Sequence, residues 1–303
     1  MPPFAVSAFG FITDRGVKEA VDEVIKLRSK YQWTFETDIQ KFFDNIDRNK
    51  LTSLSEPIFG RSSLMPLLKG VIHCEVKETH EIKLSKFGLK KGRGVRQGMP
   101  LSPLLSNIAL KRFDASLTSL GIPAVRYVDD LVAFASSRHE AEEIGLKIKE
   151  LLQNEGLEIP NISENGKTKV SSSGDPVNFL GWSIKYKSSE GAYRRYVSDD
   201  KIAGIRLKIA SIADVEQQIR NHRDLTQTLR QLSQTANSYR TSYSRAENAQ
   251  SVIQAVSESV RDSKTKILTD LFGNAAVQNL TPRQKEFIGL EATYDEIEFM
   301  ALQ

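Results

Sequence analysis

Apolar and polar positions alternate over Trp33-Thr34-Phe35-Glu36-Thr37-Asp38-Ile39, where Trp33, Phe35 and Ile39 interleave with Thr34, Glu36 and Asp38. That period of two predicts a strand with Asp38 on its polar face. Two further runs, Ala124-Val125-Arg126-Tyr127-Val128 and Leu131-Val132-Ala133-Phe134-Ala135, are rich in β-branched and aromatic residues and flank the pair Asp129-Asp130. They predict a β-hairpin with both carboxylates at its turn. Helical spacing governs other stretches. Residues 17–30 predict a helix, and Ile144, Ile148, Leu151 and Leu152 predict a second one that ends at Gly156, a suitable C-terminal cap. Between these lies Gly94-Val95-Arg96-Gln97-Gly98-Met99-Pro100-Leu101-Ser102-Pro103-Leu104-Leu105-Ser106-Asn107-Ile108. It predicts a glycine-flanked loop that feeds the first turn of a helix, with Pro103 near its start and Leu104, Leu105, Ile108 and Phe113 on its apolar side.

The character of the chain changes after about residue 199. Residues 201–266 lack proline, hold one glycine, Gly204, and space Ile202, Ile205, Leu207, Ile209, Ile212, Val215, Ile219, Leu225, Leu229 and Leu232 as amphipathic helices do. Aromatic and basic residues interrupt that pattern at Tyr239, Arg240 and Tyr243. The expected organisation is therefore residues 1–199 as a mixed α+β part, 200–273 as a helical part, and 274–303 as a tail with no further reading.

Charge and composition narrow the classes. A chain of 303 residues is long enough for about two domains or subdomains. The net charge is only +4, yet residues 61–96 hold nine Lys or Arg against three Glu, and residues 201–272 hold eleven basic against seven acidic side chains. Local excess of this kind suits a phosphate backbone, whereas any one such patch also suits a solvated face. Cys74 is single, and His73, His80, His139 and His222 are scattered, so neither a disulfide frame nor a zinc site is predicted. No apolar run approaches the length of a membrane span and no signal peptide opens the chain, so no membrane contact is expected and a reducing cytoplasm is the expected setting.

The adjacent carboxylates carry the chemistry. Two ionised groups side by side repel each other and are stable mainly beside a cation. Hard oxygen donors suit magnesium, which keeps several waters and takes one or two protein carboxylates plus substrate phosphates. A plain Asp-Asp turn in a surface hairpin is the simpler reading of the pair alone. Asp38 on a nearby strand adds a third carboxylate, the set expected where two ions hold the attacking and leaving oxygens of a phosphoryl transfer.

Taken together, the strand Asp38 with Phe42-Phe43-Asp44, the segment Gln97-Gly98-Met99-Pro100-Leu101-Ser102-Pro103-Leu104-Leu105-Ser106-Asn107 and Tyr127-Val128-Asp129-Asp130 resemble the reverse transcriptases in order and spacing. Gly156-Leu157-Glu158-Ile159, Lys167-Thr168-Lys169-Val170 and Asn178-Phe179-Leu180-Gly181-Trp182 are similar to segments of the bacterial enzymes, group II intron and retron types among them. Ser7-Ala8-Phe9-Gly10-Phe11 with Arg15 is similar to the stretch before their first aspartate. The resemblance runs almost continuously over residues 7–184.

The resemblance implies a right-hand polymerase: an α+β palm of antiparallel strands backed by helices, partial fingers and a helical thumb. It implies an RNA-directed DNA polymerase that extends a primer 3′-hydroxyl with dNTPs on an RNA template. Asp38, Asp129 and Asp130 would be catalytic and would bind two Mg2+ ions, with manganese as a substitute and the Ile39 carbonyl completing one shell. Phe43 would lie beneath the incoming sugar, and Gln97, Lys167 and Arg15 would meet the nucleotide. Phe179, Leu180, Gly181 and Trp182 would grip the primer. The loop 160–166 lengthens the approach to Lys167. Family members carry a basic fingers segment upstream of the Arg15 region, and none precedes Met1, which leaves open a fragment, a gene with a misplaced start, a chain whose fingers a protein or RNA partner completes, or a degraded copy. The alternative function is a catalytically idle subunit that binds nucleic acid through the palm fold. Intron mobility, retron synthesis and antiviral defence all remain open as roles.

Overall fold

The apolar run 131–135 forms the central strand of a five-stranded sheet in the computed structural model, which describes residues 5, 7–74, 90–96, 98–163 and 166–290. Its strands are β1 (Ala8–Phe9), β2 (Trp33–Asp38), β3 (Ala124–Tyr127), β4 (Asp130–Ala135) and β5 (Lys169–Ser171), in the order β1-β3-β4-β2-β5. β1 runs parallel to β3, and the other pairs are antiparallel. Being central, β4 is apolar on both faces, and Leu131, Val132, Ala133, Phe134 and Ala135 are all buried.

Helices α1 (Val17–Arg28) and α7 (Arg138–Asn154) back this sheet, α1 against β3 and α7 against β2 and β4. Gly145 permits the close approach of α7, since a methyl group there would stand 2.6 Å from the Phe35 ring. α7 ends before Gly156, whose φ of +75° takes the left-handed position that follows many helices. Between β2 and β3 come α2 (Phe42–Asn45), α3 (Arg48–Phe59), α4 (Met65–Ile72), α5 (Ser102–Ala109) and α6 (Lys111–Ser119). The predicted helix after residue 101 is thus two helices that break at Leu110, and Phe113 belongs to the second. Gln97, residues 75–89 of the basic stretch and residues 291–303 lie outside the described residues.

One expectation changes here. The polar face of β2 is covered rather than open: Thr34 and Glu36 are buried, as is Thr37 on the opposite face. Their partners explain it, since Ser171 and the Asn178 backbone N–H donate to Glu36 at 2.8 and 3.1 Å, and Thr37 shares a 2.7 Å hydrogen bond with Thr168.

A second sheet has the order β6 (Val177–Phe179), β7 (Trp182–Lys187), β8 (Ala192–Tyr196). The chain divides into two compact units, Met1–Leu180 with Ile184–Arg194, and Gly181–Ser183 with Arg195–Gln303. The second unit holds α8 (Asp199–Ala210), α9 (Val215–Arg220), α10 (Leu225–Ser242), α11 (Ala249–Phe272), α12 (Asn274–Gln278) and α13 (Pro282–Phe287). Ser198, Asp214 and Asp224 cap the N-termini of α8, α9 and α10. Ile205, Ile209, Ile212, Leu232, Val252 and Val256 fill its core. Leu207, Ile219 and Leu225 lie on helices, as their spacing predicts, but are exposed. On α8 the buried face follows the four-residue spacing of Ile205 and Ile209, which turns Leu207 away. No described helix is long and apolar enough to cross a membrane.

Candidate active site

The three aspartates meet because β2 and the β3–β4 hairpin share a register. Asp38 and Asp130 are direct cross-strand partners, and Tyr127 faces Asp130 where the hairpin closes. Val128 and Asp129 make the turn. Just past β2, the Ile39 N–H donates to the Asp129 carbonyl at 3.1 Å, which ties the turn to the strand end that carries Asp38. Val128 has a φ of +59°, a rare conformation for a β-branched residue and a mark of local strain.

The electrostatics are those of a site short of positive charge. Asp38 accepts from the Lys167 ammonium at 2.6 Å through Oδ2, while its Oδ1 is buried with no hydrogen-bond partner. Burial, then the neighbouring Asp129 and Asp38, push the Asp130 carboxyl up to about 6. Asp129 is also raised, by burial first and then by Asp38, against the opposing pull of Lys167 and Arg126. Lys167 is held above the ordinary lysine range, first by its hydrogen bond to Asp38 and then by that charge. A cavity of about 290 Å³ opens here, with Asp38, Asp130, Lys167, Glu36, Lys169 and Phe179 in its wall.

These residues fit a magnesium ion. Asp38 Oδ1 is a buried acceptor in want of a cation, and the two carboxyls beside it are raised by burial first and then by their like-charged neighbours. Among the described residues no group of three or more His, Cys, Asp or Glu side chains is arranged to hold a metal ion by itself. An ion that keeps waters and takes further oxygens from substrate suits such an open donor set.

The other predicted residues fall in several places. Phe42 is core, whereas Phe43 is half-buried with its ring centroid 5.3 Å from that of Phe42. The Phe43 carbonyl accepts from the Val95 N–H at 2.8 Å, so the loop that leads to Gln97 docks against α2. Gln97 itself lies outside the described residues. Arg15 does not line the cavity; its Nη1 donates to the carbonyls of Ala5 and Ala8 at 2.7 and 3.1 Å, and its guanidinium lies 6.0 Å from the Phe9 ring centre. Phe179 is buried in the cavity wall. Leu180 and Gly181 follow with φ of +52° and +80°, the signs of a two-residue type I′ turn into Trp182.

Two polar groups near the carboxylates escaped the sequence reading. Glu36 shares the face of Asp38, two residues back, and burial raises its carboxyl although Lys169 stands 3.6 Å away. The parity of Glu36 with Asp38 was the available signal. Arg126 is the other, and its signal is a charge inside an apolar strand run, which needs a buried partner.

Residues 2–184 match the family described as reverse transcriptase (RNA-dependent DNA polymerase). A curated relative, the retrovirus-related Pol polyprotein from type-1 retrotransposable element R2 of Nasonia vitripennis, is 28% identical over 169 residues, which cover 51% of this chain and 16% of that protein. The chain thus spans about a sixth of that relative's length. Among solved structures, telomerase from Candida tropicalis in complex with a fragment of telomeric RNA has a TM-score of 0.46 at 14% identity, with 91% of this chain and 53% of that one covered. Telomerase from Candida albicans, also with a telomeric RNA fragment, has a TM-score of 0.42 at 11% identity, covering 98% and 55%. With more than half its length matched to that one family, the chain belongs to the reverse transcriptases.

Proposed function

We propose that this chain is an RNA-directed DNA polymerase whose palm carries out two-metal nucleotidyl transfer. The observation behind this reading is the pairing of Asp38 with Asp130, next to Asp129 and around the unpartnered Asp38 Oδ1. The primer 3′-hydroxyl attacks the α-phosphorus of a dNTP, a new P–O bond forms, and pyrophosphate leaves as the hydroxyl proton is lost. Magnesium held by Asp38, Asp129 and Asp130, or manganese in its place, would supply charge neutralisation and Lewis-acid activation to that exchange.

The chain's own residues do the rest. Lys167 neutralises Asp38, and its side chain is 77% exposed, so it is free to turn to a triphosphate once Asp38 has another cation. There it offers a proton to the departing pyrophosphate. Phe43 would lie beneath the incoming sugar and disfavour a 2′-hydroxyl. Phe179, Leu180, Gly181 and Trp182 bear on the primer, and the helices of residues 200–273 serve as thumb on the template–primer duplex.

Primer extension by the purified chain, with dNTPs on an RNA template, tests the reading against Asp129→Asn. An amide is a poor magnesium ligand of nearly the same shape. Extension by the wild type and none by a variant of unchanged melting temperature is the expected result; full activity in Asp129→Asn sinks the assignment.

A further inference from the structure

Arg126 lies in the middle of β3 and is 0% exposed. A guanidinium so placed must be matched on every side. Its Nε and Nη2 donate to the two carboxylate oxygens of Asp114 on α6, at 2.7 and 2.5 Å, the forked geometry of a strong charge-assisted pair. Asp114 is itself buried. Nη2 also reaches Asn107 Oδ1 on α5 at 3.3 Å, and the Asn107 amide is fixed in turn by donating to the Gly10 carbonyl at 3.0 Å. Nη1 remains, and it donates to the Val128 carbonyl at 2.8 Å.

That carbonyl belongs to the peptide that leads into Asp129. The next carbonyl, that of Asp129, is held by the Ile39 N–H. Both carbonyls of the turn are thereby pinned, one from β2 and one from a side chain anchored on two helices. A turn with a valine at positive φ keeps that shape only where its surroundings over-determine it.

We propose that Arg126 is a positioning residue for the carboxylates: held by Asp114 and Asn107, it clamps the Val128 carbonyl and so fixes the turn that aims Asp129 and Asp130. The proposal rests on reading those aspartates as the metal-binding pair. The plain alternative is a buried ion pair that only holds α6 to the sheet.

Two variants separate them. Arg126→Lys keeps a charge against Asp114 but has no second arm for Val128, and Asp114→Asn keeps the volume while loosening the fork. Both should be compared with the wild type by thermal melting, amide exchange at residues 128–130, Mn2+ binding followed by its paramagnetic signal, and primer extension. Both variants should fold, exchange at the turn should accelerate, and Mn2+ affinity and kcat should fall by about 10–100-fold. A folded variant with wild-type Mn2+ affinity and wild-type protection of the turn overturns the proposal, whatever its melting temperature. So does failure of both variants to fold, which makes Arg126 a folding residue. A wild type that neither binds Mn2+ nor extends primers defeats the reading of the aspartates instead, and amide exchange still judges the clamp.

Discussion

Asp38 and Asp130 are direct partners across the β2–β4 ladder, so two carboxylates leave neighbouring strands on the same side of the sheet. Like charges directly opposite in a sheet are destabilising. Burial first, then the neighbouring Asp129 and the facing Asp38, hold the Asp130 carboxyl well above its ordinary value of 3.8. A site that stores repulsion between strands is one prepared for a cation.

The first prediction follows from the sign of that shift. A carboxyl whose folded value is about 6 and whose unfolded value is about 4 binds its proton more tightly when folded. Its contribution is most favourable at low pH and is lost as pH rises from about 4 through about 6. Asp130→Asn should therefore raise stability above pH 6, on the order of 2 kcal/mol after allowance for the group's partial exposure, and leave it unchanged near pH 4. Melting without divalent ions at the two pH values, beside an extension assay, checks this. A variant no more stable than the wild type at pH 8 contradicts it.

Phe42 and Phe43 divide the labour of an adjacent aromatic pair. Phe42 is 2% exposed, so Phe42→Ala should cost about 3–5 kcal/mol and leave nucleotide choice alone. Phe43→Ala should cost much less and raise ribonucleotide incorporation relative to deoxynucleotide. Competition between the two nucleotide types on one template reads the ratio. Loss of stability without a change of ratio at Phe43 assigns it to the core as well.

The elements around the carboxylates were legible because their residues have few other reasons to stand where they do. Asp129-Asp130 breaks two apolar runs, and the alternation over residues 33–38 gave Asp38 its face, so the hairpin and its neighbour strand followed from pattern alone. What pattern did not supply is distance across the fold. Lys167 lies on Asp38 after a long loop, and Arg126 finds Asp114 on another element; neither pairing has a period. Arg15, a basic residue in a matching motif, donates from its Nη1 to nearby carbonyls, a pairing that no period predicts either. Leu207 and Ile219 fit a helical repeat yet stay outside, because the repeat marks an apolar stripe and not its width.

The third prediction concerns the seating of α7. Gly145→Ala adds a methyl group 2.6 Å from Phe35 Cε2, and overpacking costs typically 1–3 kcal/mol, more than the roughly 1 kcal/mol that alanine gains in a helix. The melting temperature should fall by a few degrees. Phe35→Leu should remove much of that penalty when the two changes are combined, although it is destabilising alone. Additive losses in the double variant would place the cost elsewhere.

Gly181 joins a backbone requirement to close side-chain neighbours in the second unit. Its φ of +80° penalises any side chain, and an added Cβ would stand 3.3 Å from both Lys201 Cε and the Tyr243 hydroxyl. Trp182 packs edge-on against Tyr243 at 5.1 Å, with the Arg195 guanidinium 5.8 Å from the Trp182 ring centre. A bare turn flanked by an ammonium, a phenol and a guanidinium is a surface suited to a phosphate backbone. Gly181→Ala should cost about 1–2 kcal/mol from the conformation alone and should also weaken template–primer binding. Lys201→Met separates the two effects, since it leaves the turn intact. It should lower duplex affinity and reduce the slope of log affinity against log salt by roughly one phosphate contact. Binding measured from low to moderate salt gives that slope, and an unchanged slope in Lys201→Met would remove the lysine from the interface.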